Sequence, residues 1–425
     1  MEVTLSLSVF IFTYVLIMSE KVHRAIAALL GGAILIGLNV LSQEKAIEYI
    51  DWNTLGLLIG MMIIVGITRR TGLFQYLALK AVHLAKGEPI KILIALATVT
   101  AIVSAFLDNV TTVLLIGPIT FTIADSLGVN PIPFLISQIL ASNIGGTATL
   151  IGDPPNIMIG SKAGLGFMDF IIHLAPVIVI IYLAIMTIFY VYYRSRLNVT
   201  DEVKAAICKV NPQNELKDSV LLKKCLIILG LTIVGFILHQ WIHLESATIA
   251  VFGAVTLMLV TKEEPEDILL AVEWPSIFFF LGLFIIVGGL VQTGFIARLA
   301  QWTLNMTAGN LRLASIVILW VSALASAFVD NIPYVATVIP MIQQMGHLGG
   351  ISPSELQPLW WALSLGACLG GNGTLIGASA NVVLAGIAEK NGFNISFRYF
   401  LKIAFPLMIL SVLISMIYLL VFLGH

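Results

Sequence analysis

Apolar stretches long enough to cross a bilayer recur along the whole chain. A transmembrane helix needs about 20 mostly apolar residues to cross about 30 Å of hydrocarbon. With 59% hydrophobic and 11% charged residues and a mean hydropathy of +1.02, no soluble domain could bury this surface. The sequence therefore predicts an all-α polytopic protein with the lipid bilayer as its solvent. Its ten candidate spans lie near 3–19, 25–42, 54–69, 132–160, 168–193, 223–240, 246–261, 275–292, 360–388 and 400–423.

Two further apolar regions are interrupted in the middle by an Asp-Asn pair. The region 92–124 breaks at Asp108-Asn109, and the region 313–346 breaks at Asp330-Asn331. Each arm is shorter than a full span, so the pattern predicts two re-entrant hairpins that enter and leave on the same side. Two full spans in each region are the alternative.

The charges exclude one class of partner and predict an orientation. Twenty-two Lys and Arg against 23 Asp and Glu give a net charge of -1, which lacks the basic character of nucleic-acid-binding chains. With the N-terminus outside, 18 of the 22 basic residues fall in cytoplasmic loops, as the positive-inside rule requires. We expect a multi-pass protein of the prokaryotic inner (plasma) membrane with both termini extracytoplasmic.

The chain repeats itself. Residues 51–72 match 273–294 at 8 of 22 positions, and 104–113 match 326–335 at 6 of 10, both at an offset of 222. Residues 145–156 match 370–381 at 7 of 12 positions after a three-residue slip. Apolar composition would not match Asp-Asn, Trp and Gly in the same order, so the sequence indicates a duplication.

Each half contains five candidate spans and one hairpin. An odd number of crossings inserts the second copy upside down, which is the inverted-repeat plan of secondary transporters with sites at the midplane. We expect a first repeat at 1–193, a second at 223–425 and a cytoplasmic linker at 194–222, interpreted as a tether.

Three carboxylates lie inside the predicted membrane region. A charged residue at the centre of a membrane helix costs about 2.5–3.5 kcal/mol on insertion scales, so such residues are candidates for function. Asp108 and Asp330 occupy equivalent hairpin turns, where the alternative is that each caps its own turn. Asp153 has no acidic counterpart, because Ala378 stands at the equivalent position. That asymmetry favours proton or cation coupling for Asp153, with Asp108 and Asp330 as further candidates.

Two glycine-rich segments, 143–156 and 368–381, interrupt predicted spans. Glycine and proline break the helix there, so freed carbonyls and hydroxyls could hold a cation or a small oxyacid. Cys368 is one thiol and is interpreted as a small buried apolar residue. No side chain is assigned a catalytic or metal-binding role. The candidate substrate-binding residues are Asp108, Asn109, Thr111, Thr112, Asn143, Gly145, Gly146, Thr147, Thr149, Asp330, Asn331, Gly371, Asn372, Thr374 and Asn381.

The segments SAFLDNVTTVLL, NIGGTATLIGDPPN and EKVHRAIAALLGGA resemble the ArsB/NhaD group of the ion transporter superfamily and are similar to the mammalian P protein. The resemblance implies an elevator-type fold whose mobile domain carries the hairpins and broken helices. It also implies arsenite or antimonite efflux, or sodium/proton antiport, driven by a proton or sodium gradient without a cofactor. A second copy of the chain and a soluble ATPase subunit are the candidate protein partners.

This sequence departs from a symmetric pattern. The second hairpin continues Ile332-Pro333-Tyr334 where the first has Val110-Thr111-Thr112, so fewer hydroxyls are available for two sodium sites. Neither break contains an arginine to clamp a di- or tricarboxylate, which argues against citrate or succinate. The leading hypothesis is therefore proton-coupled efflux of arsenite or antimonite, with sodium/proton antiport as the alternative. An ion channel and an intramembrane hydrolase are less favoured, and we expect no enzymatic activity.

Overall fold

The structure, a computed structural model, describes residues 2–19 and 21–423. Met1 and His425, whose extracytoplasmic location is predicted, lie outside the described residues. The described chain is helical throughout and contains no strand. Its helices are α1 (Glu2–Met18), α2 (Arg24–Gly37), α3 (Gln43–Glu48), α4 (Trp52–Arg69), α5 (Leu73–Leu84), α6 (Pro89–Phe106), α7 (Asn109–Leu127), α8 (Ile132–Thr147), α9 (Pro154–Ala163), α10 (Phe167–His173), α11 (Ala175–Tyr193), α12 (Asp201–Ile207), α13 (Ser219–Ile242), α14 (Ser246–Thr261), α15 (Pro265–Leu269), α16 (Trp274–Gln292), α17 (Phe295–Met306), α18 (Leu311–Phe328), α19 (Asn331–Gly349), α20 (Pro353–Gly370), α21 (Ser379–Lys390) and α22 (Phe397–Tyr418).

The second half repeats the element order of the first. Helices α1 to α9 correspond to α13 to α21, and α10–α11 correspond to α22, with similar lengths at most positions. Helix α12 and a 3₁₀ turn, Pro212–Glu215, lie between the halves. Helix α13 begins at Ser219, inside the segment assigned to the linker. The division into 1–193, 194–222 and 223–425 stays a prediction, and its outermost residues lie beyond the described chain.

The halves interlock through two equivalent helix pairs. Helix α4 packs on α14, and α16 packs on α2. Both contacts use a glycine at equivalent positions, Gly60 and Gly282. A Cβ at Gly60 would lie 2.6 Å from the Ala250 carbonyl carbon, and one at Gly282 would collide with the backbone of Ala28. Small residues let membrane helices approach closely, so each half provides a packing surface for the other.

The ten predicted spans correspond to long helices, shorter apolar helices and broken helices. By length and composition, eight helices of the described chain could cross a membrane: α4, α6, α7, α11, α13, α16, α18 and α22 with the turn that follows it. Five of these match predicted spans, whereas α6, α7 and α18 are arms of the predicted hairpins. The apolar helices α1, α2 and α14 are shorter, at 17, 14 and 16 residues. The remaining predicted spans, 132–160 and 360–388, are the broken helices α8–α9 and α20–α21.

The hairpin arms are longer than the sequence suggested. Helices α6 and α18 have 18 residues each, and α7 and α19 have 19. Arms of this length resemble ordinary spans, so length alone does not identify a hairpin. The position of the tips favours the hairpin interpretation, because Asn109 and Asn331 both reach the same interior carboxylate, Asp153.

Candidate functional site

Each broken helix is fastened to the hairpin of its own half. Helix α8 ends at Thr147 and α9 begins at Pro154, whereas α20 ends at Gly370 and α21 begins at Ser379. The hydroxyl of Thr149 donates to the Ala105 carbonyl, and that of Thr374 donates to the Ala327 carbonyl. Gly145 lies against the backbone of Ala101 with no room for a side chain. Contacts with the hairpin helices therefore hold both helix breaks in place.

Two asparagines satisfy the carbonyls that the breaks release. Asn156 Nδ2 donates to the carbonyls of Thr147 at 3.1 Å and Thr149 at 2.9 Å. Asn381 Nδ2 donates to the carbonyls of Gly371 at 2.7 Å and Thr374 at 2.9 Å. An unpaired buried carbonyl is costly, so these equivalent side chains close the two breaks.

A third asparagine joins the halves. Asn143 Nδ2 lies 2.9 Å from Asn372 Oδ1 and 2.9 Å from Asn381 Oδ1, so it donates to both side chains of the second break. Its own Oδ1 accepts from Asn109 Nδ2 at 3.1 Å. All four amides are buried. The first hairpin tip, the first break and the second break are thus connected by one chain of hydrogen bonds.

The carboxyl group of Asp153 lies where the hairpin tips meet. It is fully buried. It accepts from Asn109 Nδ2 at 3.3 Å, and from Asn331 Nδ2 at 3.4 Å through each oxygen. No lysine or arginine of the described chain forms an ion pair with it. Burying an ionised carboxylate without a countercharge is expensive, so this group is suited to taking up a proton or a cation.

The other two intramembrane acids cap their helices. Asp108 Oδ1 accepts from the Thr111 backbone N–H at 2.9 Å, and Asp330 Oδ1 accepts from the Ile332 N–H at 3.2 Å. The capping alternative therefore describes part of what each side chain does. Asp108 also lines a cavity beside Asp153, so capping and binding are compatible there.

An arginine from a distant helix reaches the second hairpin. The Arg24 guanidinium, at the start of α2, lies 3.3 Å from Asp330 Oδ2 and 3.1 Å from Ser276 Oγ, and it also donates to Ser379. It sits over the Phe279 ring, 5.2 Å from the centroid. Neither break contains an arginine, but Arg24 reaches the second break at Ser379 from another element.

These groups surround a narrow space, which we call the Asp153 cavity. Its volume is about 20 Å³, room for about one water-sized molecule. Six of the described helices begin at its wall, α2, α7, α9, α16, α19 and α21, and helix N-termini carry partial positive charge. An acid occupies the N-cap position of four of them, although only Asp108 and Asp330 accept a capping hydrogen bond; His23 precedes α2 and Ala378 precedes α21. The polar residues that line it are Arg24, Asp108, Asn109, Asp153, Glu273, Ser276, Asn331 and Ser379.

The predicted site residues fall into groups. Asp108, Asn109, Asp153 and Asn331 face the cavity. Behind it, Asn143, Asn372 and Asn381 form the amide chain, and the hydroxyls of Thr147, Thr149 and Thr374 donate to backbone carbonyls. Gly146 and Gly371 lie close to the backbone of Gly152 and Gly377. Thr111 and Thr112 follow the first tip, and the Thr112 hydroxyl is buried without a partner among the described residues. Their roles in binding stay predictions.

Five residues of the site were not assigned from the sequence: Arg24, Asn156, Glu273, Ser276 and Ser379. For Asn156 the signal was present, because the repeat aligns it with Asn381. Glu273 likewise aligns with Asp51 at the start of a span. Arg24 lies in the segment EKVHRAIAALLGGA, which carries part of the family resemblance. Nothing in the neighbouring sequence indicated that it contacts Asp330.

Comparison with known proteins assigns the chain to a transporter family. The chain is 42% identical to the "46 kDa membrane protein" of Mycobacterium leprae over 420 residues, covering 98% of this chain and 97% of that protein. It is 42% identical to an uncharacterized transporter of Mycobacterium tuberculosis over 418 residues, with 97% of each chain covered. The human P protein is 35% identical over 505 residues, which cover 99% of this chain and 60% of the P protein.

A solved structure supports the fold. The YdaH transporter of Alcanivorax borkumensis, described as having an unusual topology, superposes with a TM-score of 0.58 over 94% of this chain and 97% of that chain, at 14% identity. This similarity confirms the predicted all-helical transporter fold. Residues 14–366 match the citrate transporter family, CitMHS. The resemblance to the P protein is confirmed, whereas the narrower ArsB/NhaD assignment stays a prediction. The chain belongs to the CitMHS family of membrane transporters.

Proposed function

We propose that the protein is a proton-coupled secondary transporter in which Asp153 carries the coupling proton. The observation behind this proposal is the buried Asp153 carboxyl, which receives neutral amide donors from both hairpin tips and has no countercharge among the described residues. An ionised carboxylate attracts these amides strongly, because hydrogen bonds to charged groups exceed those between neutral groups. Protonation weakens that attraction and frees the tips to move.

The cargo that we propose is a small neutral oxyacid, arsenite or antimonite, exported in exchange for protons. The lining of the Asp153 cavity offers amide and hydroxyl groups that hydrogen-bond a trihydroxy acid. At about 20 Å³ the cavity must widen to admit even this small molecule, and citrate would require a much greater widening. Entry of protons coupled to exit of neutral molecules lets the proton gradient drive export.

A second candidate cargo is an organic carboxylate, as the family description suggests. Arg24, Ser276 and Ser379 form a cluster at the N-terminus of α21, where the helix end is not capped by an acid. Arginine and a helix N-terminus both favour carboxylate groups. Arg24 is already paired with Asp330 at 3.3 Å, so carboxylate binding would require this ion pair to open.

Everted membrane vesicles test these assignments. Under an acidic interior, we expect accumulation of arsenite that a protonophore abolishes, with sodium and citrate assayed in parallel for antiport and carboxylate transport. Asp153→Asn keeps the shape of the side chain but cannot exchange a proton, so gradient-driven accumulation should disappear. Asp125→Asn changes an exposed acid near the end of α7 and should leave it intact. Full accumulation of arsenite in Asp153→Asn would contradict the coupling role. Gradient-driven uptake of citrate without uptake of arsenite would mean that the cargo is a carboxylate and not a neutral oxyacid.

A further inference from the structure

A second cavity lies one helical turn beyond the Asp153 cavity. We call it the Lys162 vestibule, and its polar lining consists of Glu48, Tyr49, Asp51, Lys162 and Gln343. Its volume is about 280 Å³, against about 20 Å³ for the Asp153 cavity. It is therefore a wide space that adjoins a narrow one.

Three helices line both spaces with side chains four residues apart. Residues separated by four lie on the same helix face, about 6 Å along the axis. All three helices begin at the Asp153 cavity and run toward the vestibule. From cavity to vestibule, α9 presents Pro154, Met158 and Lys162; α16 presents Phe280, Phe284 and Gly288; and α19 presents Ile332, Ala336 and Pro340.

A fourth helix runs in the opposite direction. Helix α4 begins at the vestibule, where Asp51 caps it, and its later residues Leu58 and Met62 line the Asp153 cavity. Its repeat partner α16 begins at the Asp153 cavity, where Glu273 precedes the first turn. The two equivalent acids, Asp51 and Glu273, therefore stand at opposite ends of one path through the protein.

An apolar layer separates the two spaces. Met158, Phe284 and Ala336 occupy the middle turn of the three helices and are only 1%, 7% and 5% exposed. Polar solutes lose their hydrogen bonds to water in such a layer. The layer is a single turn deep, so a shift of one helix by one turn would be enough to open it.

The mouth of the vestibule is polar. Asp51 Oδ1 accepts from Ser161 Oγ at 2.8 Å, and Asp51 Oδ2 lies 3.9 Å from the Lys162 ammonium. Gln343 Nε2 donates to the Lys162 carbonyl at 3.1 Å, which connects α19 with the end of α9. A hydrated oxyacid finds hydrogen-bonding groups here, on the vestibule side of the apolar layer.

We propose that the Lys162 vestibule connects the Asp153 cavity with one side of the membrane, and that Met158, Phe284 and Ala336 form the barrier between them. The nature of the solute, a small oxyacid, rests on the proposed function; the route itself rests on the three shared helices. Passage through the barrier and binding at the mouth are separate steps, and an exported solute meets Asp51, Lys162 and Gln343 after it has crossed the barrier.

Thiol labelling tests the barrier without reference to any cargo. Ile332→Cys places a thiol in the Asp153 cavity, and an impermeant methanethiosulfonate is applied from the face where Lys45→Cys on α3 reacts. The signal of the unsubstituted protein is subtracted as background. We expect slow reaction that Phe284→Ala accelerates about tenfold, equivalent to lowering the barrier by about 1.4 kcal/mol. Phe278→Ala, on the same helix but 46% exposed, should have no effect. Equal rates with Phe284→Ala and Phe278→Ala overturn the proposal.

A second measurement covers the case in which Phe284→Ala does not fold. Gln343→Cys at the mouth, once modified, should block exchange of whichever cargo the vesicle assay identifies. Gln240→Cys, in a neighbouring cavity that also contains Asn53 and Ser161, should react without blocking exchange. Undiminished exchange after complete modification of Gln343→Cys contradicts the route. The comparison of Phe284→Ala with Phe278→Ala is made at one pH and without cargo, so it tests the route even where the vesicle assay rejects arsenite or the Asp153 coupling role.

Discussion

Equivalent residues in the two halves differ where the halves meet. Asn143 corresponds to Cys368 and Asp153 to Ala378. Asn143 Nδ2 donates to Asn381, and in the mirrored contact the Cys368 thiol lies 3.6 Å from Asn156 Oδ1. Cys368 is thus a buried member of the packing around the first break, in agreement with its interpretation from the sequence. The asymmetry leaves one carboxyl, Asp153, between two nearly symmetric tips.

The side-chain amides of Asn109 and Asn331, at the hairpin tips, provide a prediction for single residues. Because Asp108 and Asp330 already cap the hairpin helices, Asn109 and Asn331 are free to act on Asp153 and cargo. Asn109→Ala and Asn331→Ala should each weaken cargo affinity about three- to tenfold, the value of one hydrogen bond of about 0.5–1.5 kcal/mol. Affinity and melting temperature are measured on the same purified variants. Asn391→Ala, an exposed asparagine after α21, is the control.

A purely structural role for the tips has a different signature. Both variants would then melt at lower temperature and bind cargo with unchanged affinity. That result would remove Asn109 and Asn331 from the substrate site and leave the broken helices to hold the ligand.

The Arg24–Asp330 pair supports a second prediction. Arg24→Gln leaves a partly buried carboxylate without its cation, whereas Arg24→Gln with Asp330→Asn removes both charges. Breaking one side of a buried pair costs more than replacing both. We expect the single variant to lose about 1–3 kcal/mol of stability and the double variant to recover part of it. Denaturation in detergent measures both, together with Asp330→Asn alone; a double-variant loss equal to the sum of the two single losses would mean that the pair contributes no coupling.

At the scale of elements, local signals in the sequence predicted the breaks and the hairpin tips. Gly-rich and Asp-Asn segments disturb a helix wherever they occur, so their effect needs no knowledge of neighbours. The partner of Asp330 could not be predicted in this way, because Arg24 lies 306 residues away in the chain. The threonines were also beyond local reasoning: Thr149 and Thr374 bond to hairpin carbonyls that the sequence does not place beside them.

Close packing of α2 on α16 gives a prediction for a helix pair. Gly282→Ala should lower the melting temperature, because the new methyl group meets the backbone of Ala28, which cannot rotate away. Overpacking of this kind costs about 1–3 kcal/mol. Gly230→Ala, within α13, meets no atom within 4 Å and should be neutral or stabilising, since alanine favours helix. Equal melting temperatures for the two variants would contradict the interlocked packing.

For the whole molecule, aligning the two halves predicts structural equivalences that neither half predicts alone. The offset of 222 residues aligns Gly60 with Gly282 and Asp108 with Asp330, and each pair occupies equivalent structural positions. What the repeat could not provide is how the halves fit together. The pairing of α4 with α14 and of α16 with α2 exchanges elements between halves, and a sequence alignment of one half on the other contains no information about such an exchange.

Orientation in the membrane is the remaining prediction at this scale. If 18 of 22 basic residues lie in cytoplasmic loops, the segment 194–222 is cytoplasmic and the Lys162 vestibule opens outside. Asn211→Cys in that segment should react with an impermeant maleimide in everted vesicles and not in intact cells, while Lys45→Cys should show the opposite pattern. Both positions are exposed, so access to each thiol depends on the side of the membrane and not on burial. Cys208 is replaced by serine in both variants, since it is half-buried in the same segment. Labelling of Asn211→Cys in intact cells would mean that the orientation is the reverse, and the Lys162 vestibule would then face the cytoplasm. An antiporter that exports its cargo would in that case take it up through the vestibule instead of releasing it there.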